Sequence, residues 1–93
     1  MLKDKKDNKK DVEYLYETIL SLKSIEDCED FFDDLCTIKE VDNMSQRLKA
    51  AKLLMDGKTY TEVTSGTNVS SATLSRISRC IQYGKGYKKF IKK

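Results

Sequence analysis

Residues 59–83, TYTEVTSGTNVSSATLSRISRCIQY, decide the fold. Thr59 followed three positions later by Glu62 is a capping box, in which the hydroxyl takes the N–H of the third helical residue and the carboxylate takes that of the cap. It predicts a short helix from Tyr60 to Ser65, closed by Gly66. Thr67-Asn68-Val69 reads as a tight turn, and Ser70 as the N-cap of a second helix from Ser71 to about Tyr83, stopped by Gly84. Two helices crossing at such a turn need a small residue at the crossing, a turn residue that tolerates positive φ, and apolar residues that lock the pair. Thr64, Asn68 and the set Val63, Val69, Leu74 and Ile77 take those places. The pattern is that of a helix-turn-helix.

With Leu74, Ile77 and Ile81 assigned to the core, the second helix turns Ser71, Ala72, Thr73, Ser75, Arg76, Ser78 and Arg79 outward. This face is short, polar and cationic, and the sequence has no carboxylate from Asn68 onward. A helix in the major groove of DNA lies in a channel about 12 Å wide, where short side chains allow close approach and arginine reaches guanine or phosphate. The expected DNA-contacting residues are therefore Tyr60, Ser70, Ser71, Ala72, Thr73, Ser75, Arg76 and Arg79. Lys49, Lys52, Lys58, Lys85, Lys88 and Lys89 are candidates for phosphate contacts that add affinity without choosing sequence.

Working outward, the long stretch before this motif reads as helices. Thr37 with Glu40 is a second capping box, and it opens a helix on which Val41, Met44, Leu48, Ala51, Leu54 and Met55 step by three or four to a left-handed stop at Gly57. Ser24 with Asp27 opens a helix carrying Ile25, Cys28, Phe31, Phe32 and Leu35. Val12, Leu15, Tyr16, Ile19, Leu20 and Leu22 define a first helix ending near Lys23. Residues 1–10, MLKDKKDNKK, lack a period and are expected to be a flexible basic arm. The expectation is an all-α protein of five to six helices. Residues 11–84 form one domain, with 11–57 as scaffold and dimerisation helices and 59–83 as the helix-turn-helix, and residues 85–93 form a basic tail.

Charge divides along the chain. The net formal charge is +3, but residues 1–11 carry +2, residues 12–44 carry −8 and residues 45–93 carry +9. The C-terminal half thus suits a polyanion. Apolar residues make up 39% of the 93, too few for a thick monomer core, which points to a second copy as partner. Cys28, Cys36 and Cys80 are odd in number and there is no His. Neither a disulfide framework nor a metal site is expected, and the cysteines are read as buried thiols in a reducing cytoplasm. No apolar run is long enough for a membrane span. The chain has no Gly-rich phosphate loop and no base near its thiols, so enzymatic chemistry and cofactors are not expected.

The segments LYETILSLKSIEDCEDFFDDLCT, LCTIKEVDNMSQRLKAAKLLMDGKTYTEV and SSATLSRISRC resemble the Trp repressor superfamily, in particular its YerC/YecD-type branch of Trp-repressor-related proteins, over residues 12–84. The resemblance implies an intertwined homodimer whose two recognition helices face successive major grooves, with half-sites about 34–36 Å apart. It also places Thr37, Arg47 and Arg76 where the repressor has a pocket threonine and two arginines that help bind its amino-acid corepressor. Ile77 stands where the repressor has glycine, and the turn before ATLSR is about two residues longer. A branched side chain there crowds an indole ring, so tryptophan is not the expected ligand, and a different small-molecule corepressor, or none, stays open. Without a ligand, Arg47, on a helix with Glu40, Asp42 and Asp56 nearby in sequence, would be an ion-pair partner at the dimer surface.

The function expected is that of a sequence-specific DNA-binding transcription regulator, repressor-like and homodimeric. The rival is a protein-interaction module with an acidic docking face and a vestigial helix-turn-helix. A sigma-factor-like domain, which would be monomeric and bound to polymerase, is a third.

Overall fold

A computed structural model describes residues 5–92 and shows six α-helices and no strand among them. They are α1 (Lys5–Leu20), α2 (Ile25–Leu35), α3 (Ile38–Met55), α4 (Tyr60–Gly66), α5 (Ser71–Tyr83) and α6 (Gly86–Phe90). The chain divides between Cys36 and Thr37 into two compact units, where composition alone predicts one domain. None of the described helices is long and apolar enough to cross a membrane.

The first unit holds α1 and α2. Helix α1 begins at Lys5, so residues 5–10 are helical rather than an unstructured arm; Met1–Asp4 lie outside the described residues. The stretch has no Gly or Pro, and lysine is a good helix former, so the helix propagates N-terminally past its apolar stripe. It stops at Leu20, before the expected Lys23. There Ser21 and Leu22 N–H groups turn to the carbonyls of Thr18 and Ile19 at 3.1 Å, and the Ser21 hydroxyl donates to the Thr18 carbonyl at 2.6 Å. Tight i→i+3 bonds of this kind close a helix. Ser24 then caps α2 by accepting from Asp27 N–H. The Asp27 carboxylate reaches one residue farther than in a regular box, accepting the Lys23 N–H at 3.0 Å. Phe31 and Phe32 meet edge to face, with ring centroids 5.4 Å apart.

No residue of α2 is buried, and none of residues 8–36 falls below partial exposure. Leu20 and Ile25 are 82% and 81% exposed. The cysteines are free thiols, but Cys28 is exposed and Cys36 and Cys80 are only half-buried. The expectation of buried thiols therefore fails.

The second unit has a core of its own. Ala50, Ala51, Val63, Val69, Leu74 and Ile77 are buried, with Leu53, Leu54, Ile81, Tyr87 and Ile91 packed partly against them. All four residues predicted to lock the helix pair are in that core. Two adjacent alanines on α3, both fully buried, let the helix come close to α5, its main packing partner. The stripe predicted along α3 splits in two. Its C-terminal half packs, whereas Val41, Met44 and Leu48 are exposed, as is Ile38 at 89%.

The helix ends follow local chemistry. Both capping boxes form in full, Thr37 with Glu40 and Thr59 with Glu62. Gly57 has φ +93°, the only positive φ among the described residues, and it ends α3 in a Schellman motif. Lys58 N–H donates to the Leu53 carbonyl and Gly57 N–H to that of Leu54, each at 3.0 Å. Gly84 stops α5 differently. Its φ is −88°, but a Cβ there would sit 2.6 Å from the Cys80 carbonyl oxygen, so only glycine fits the closing turn.

Candidate nucleic-acid interface

Helix α5 is held from three sides. At its start, Ser70 accepts the Thr73 N–H at 3.2 Å and donates to the Thr73 hydroxyl at 3.1 Å. Beneath, Leu74 and Ile77 are buried against α3 and α4. Before it, the turn is tied by side chains: the Thr67 hydroxyl donates to the Val63 carbonyl at 2.8 Å and accepts the Val69 N–H at 3.3 Å.

Asn68 does not have the positive φ expected of it. Its backbone N–H donates to Gln46 Oε1 at 3.2 Å, and its side-chain amide reaches Asp42 Oδ2 at 3.4 Å. Polar tethers to α3 fix the course of the turn in place of a left-handed residue. Gln46 and Asp42 were not among the expected site residues. Nothing in their local sequence marks them, because the contact spans more than 20 positions.

The outward face of α5 carries what the sequence predicts, with two exceptions. Ser70, Ser71, Ala72, Ser75, Arg76 and Arg79 are exposed, while Thr73 and Ser78 are half-buried. Tyr60 is exposed at the first position of α4. The first N–H groups of a helix have no partner inside it; the Ser70 hydroxyl takes that of Thr73. No ion pair neutralises Arg76 or Arg79; among the described residues the salt bridge is Lys52 to Asp56, at 2.7 Å.

Within the chain, Arg47 is likewise without an ion pair among the described residues. Each acid near it in sequence is engaged elsewhere. Glu40 accepts the Thr37 N–H at 2.8 Å, Asp42 holds Asn68 and Asp56 is bound to Lys52. The Glu40 carboxyl is held below its ordinary value first by the Thr37 backbone N–H and then by the Thr37 side chain.

Arg47 and Arg76 line one open concavity of about 500 Å³, with Ile77 and Tyr87 among its apolar walls. Arg47 also faces a smaller, more polar hollow of about 240 Å³ beside Asn43, Asn68 and Ser70. The larger volume suits a small organic ligand. Thr37 is not in the lining: it sits ten residues before Arg47 on α3, roughly 15 Å away, with its hydroxyl accepting the Glu40 N–H. Within one chain the structure therefore joins two of the three expected pocket residues. Tyr87, not predicted, forms part of the wall.

The sequence profile of the family described as Trp repressor protein matches residues 10–93. The uncharacterized protein YerC of Bacillus subtilis is 48% identical over 75 residues, spanning 81% of this chain and 72% of that protein. A crystal structure of a TrpR-like protein from Eubacterium eligens superposes with a TM-score of 0.81 at 44% identity, covering 85% of this chain and 82% of the other.

Proposed function

The chain belongs to the Trp repressor family, and on that premise we propose that it is a sequence-specific DNA-binding transcription regulator, repressor-like, that works as a homodimer in the cytoplasm. The observation that carries this reading is the face of α5. Ser71, Ala72, Ser75, Arg76 and Arg79 are exposed on a helix whose opposite side, Leu74 and Ile77, is locked into the core. Short side chains near the helix start allow it to enter the groove, and two arginines farther along reach base edges or phosphate. Ser70, Thr73 and Tyr60 complete the proposed contact set. No enzymatic step is assigned to the chain and no cofactor is required.

Dimerisation rests on uncovered apolar surface. Leu20, Ile25, Ile38, Met44 and Leu48 are all exposed, on helices that a second copy would cover. Burying a side chain of this size contributes about 1.5–3 kcal/mol, so a handful of them, doubled by symmetry, suffices for a stable pair. The two recognition helices would then read half-sites about one helical turn apart. The concavity at Arg47 and Arg76 is proposed as an effector site for a small anionic molecule. Ile77 is part of its lining, and by the resemblance a branched side chain at that position crowds an indole ring, so tryptophan is not the ligand proposed.

A second reading, a protein-interaction module, is favoured by one observation: Glu26, Asp27, Glu29, Asp30, Asp33 and Asp34 are all exposed on α2. Selection of bound sequences from a random duplex pool, at near-physiological salt and without added ligand, separates the two. The regulator enriches a two-fold-symmetric site; the acidic module retains no duplex at all. Retention without enrichment would mean that an effector is needed for specificity.

A further inference from the structure

The concavity between α3, α5 and α6 has a polarity that narrows what can occupy it. Its lining comes wholly from the second unit, and its volume is about 500 Å³. Met44, Leu48, Ile77 and Tyr87 make apolar walls, and Arg47 and Arg76 bring two positive charges. Thr73 and Cys80 complete the lining, and among the described residues that line it none is a carboxylate or a carboxamide. Neither arginine has an ion pair among the described residues. Glu40 and Asp42, the acids of α3, are taken by the Thr37 N–H at 2.8 Å and the Asn68 side chain at 3.4 Å. The Thr73 hydroxyl accepts from that of Ser70 at 3.1 Å, which leaves its own proton to donate. The polar groups turned to this hollow are therefore chiefly donors.

A carboxylate matches such a lining, because the guanidinium fork meets its two oxygens in parallel bonds. An ammonium does not. It has three protons to place and accepts none, it meets two charges of its own sign, and shedding its water is costly unless new partners replace it. An α-amino acid carries both groups and so fits at one end of its head only. A bare inorganic anion fails in another way: it would satisfy the arginines but leave the walls made by Ile77 and Tyr87 uncovered. Apolar area taken from water contributes about 25 cal/mol per Å², and a short hydrocarbon body would claim that gain. Ile77 is fixed in the core at 2% exposure, so the wall it forms does not yield to a bulky one. Tyr87, held against the same core from α6, bounds the other element of the site.

We propose that the effector taken at Arg47 and Arg76 is a small monocarboxylate with a short apolar body and no amino group. Its carboxylate is held by the two guanidiniums and the Thr73 hydroxyl, and its body lies against Ile77 and Tyr87. This rests on the effector-site reading and deepens it by naming the class of ligand.

The test is calorimetric titration of the full chain, in phosphate-free buffer, with three probes that differ from one another in one element. Hydrocinnamate has the carboxylate and a single-ring body, L-phenylalanine adds only the amino group, and inorganic phosphate lacks the body. The R47Q chain is titrated alongside; Arg47 is exposed, so its replacement leaves the core intact. Hydrocinnamate is expected to bind tightest, with phenylalanine and phosphate weaker by roughly tenfold or more, and R47Q should weaken hydrocinnamate by roughly ten- to a hundredfold. Phenylalanine bound as tightly as hydrocinnamate, with both weakened in R47Q, overturns the amine-free class and leaves the effector site standing. Phosphate bound as tightly, and likewise weakened in R47Q, overturns the apolar body. Hydrocinnamate bound equally by R47Q and wild type lies elsewhere and overturns both readings, as does the failure of every probe to bind at millimolar concentration.

Discussion

The two units of this chain handle their apolar residues in opposite ways. From Thr37 onward a small set of side chains, Leu74 and Val63 at its centre, is wholly buried by the chain itself. Before it, residues 8–36 bury nothing completely, although the hydrophobic spacing of α1 and α2 is as regular. Regular spacing shows that a helix has an apolar side, but not what covers it. The second unit buries the C-terminal half of α3 locally because α3, α4 and α5 are joined by short turns that bring them together. Under the proposed homodimer, a second copy would cover the first unit and the exposed half of α3.

The largest expected effect tests that contrast from the weak side. Ile25 is the first residue of α2, a position where aspartate suits a helix well. I25D should leave helicity intact while removing an apolar contact twice over in a symmetric pair. At about 1.5–3 kcal/mol for each side chain, the dimer dissociation constant should rise by roughly two to four orders of magnitude, read by sedimentation. No change would mean that α2 faces solvent in the assembly.

From the strong side, L74A should cost about 2–5 kcal/mol in denaturant unfolding. Leu74 is fully buried, and the rigid α3 crossing beside Ala50 and Ala51 leaves little room for collapse. A cost below 1 kcal/mol would show that the core of the second unit is less well packed than its burial implies.

Smaller effects come from the caps. T59A should lower stability by about 1 kcal/mol, because the Thr59 hydroxyl satisfies the Glu62 N–H that opens α4. The Glu62 carboxyl is held below the usual 4.5 first by the Thr59 backbone N–H, then by the Thr59 side chain, with Lys58 assisting. A lowered pKa in the folded state means that the unfolded chain binds its proton first. The contribution is therefore complete above about 4.5 and lost as pH falls through the lowered value. Melting curves of E62Q should lie below wild type at pH 7 and converge with it in acid; a gap that persists at low pH would detach the stabilisation from ionisation.

The smallest expected effect concerns the turn. N68A should cost roughly 0.5 kcal/mol, the worth of one long, exposed hydrogen bond to Asp42. N68G should not stabilise, since position 68 has no positive φ to relieve. A stabilised glycine variant would restore the left-handed turn that the sequence suggests.

These cases mark what the sequence makes legible. The starts of α2, α3, α4 and α5 were readable because a cap is local, its two members lying three residues apart. The lock of Val63, Val69, Leu74 and Ile77 was readable because the motif imposes its spacing. The surroundings of Arg47 were not, since whether Asp42 pairs with it or with Asn68 depends on where a turn more than 20 residues away comes to rest. The fate of Leu48 was not either, because a periodic stripe does not say whether its partner lies in the same chain.

The most direct test joins the face of α5 to the uncovered apolar surface: the stoichiometry of the protein on a duplex carrying its selected site, measured by sedimentation equilibrium with labelled DNA. The account predicts two 10.7 kDa chains on each duplex and, for I25D, a loss of that complex at concentrations where wild type saturates it. One chain per duplex, bound as tightly in I25D as in wild type, would contradict it.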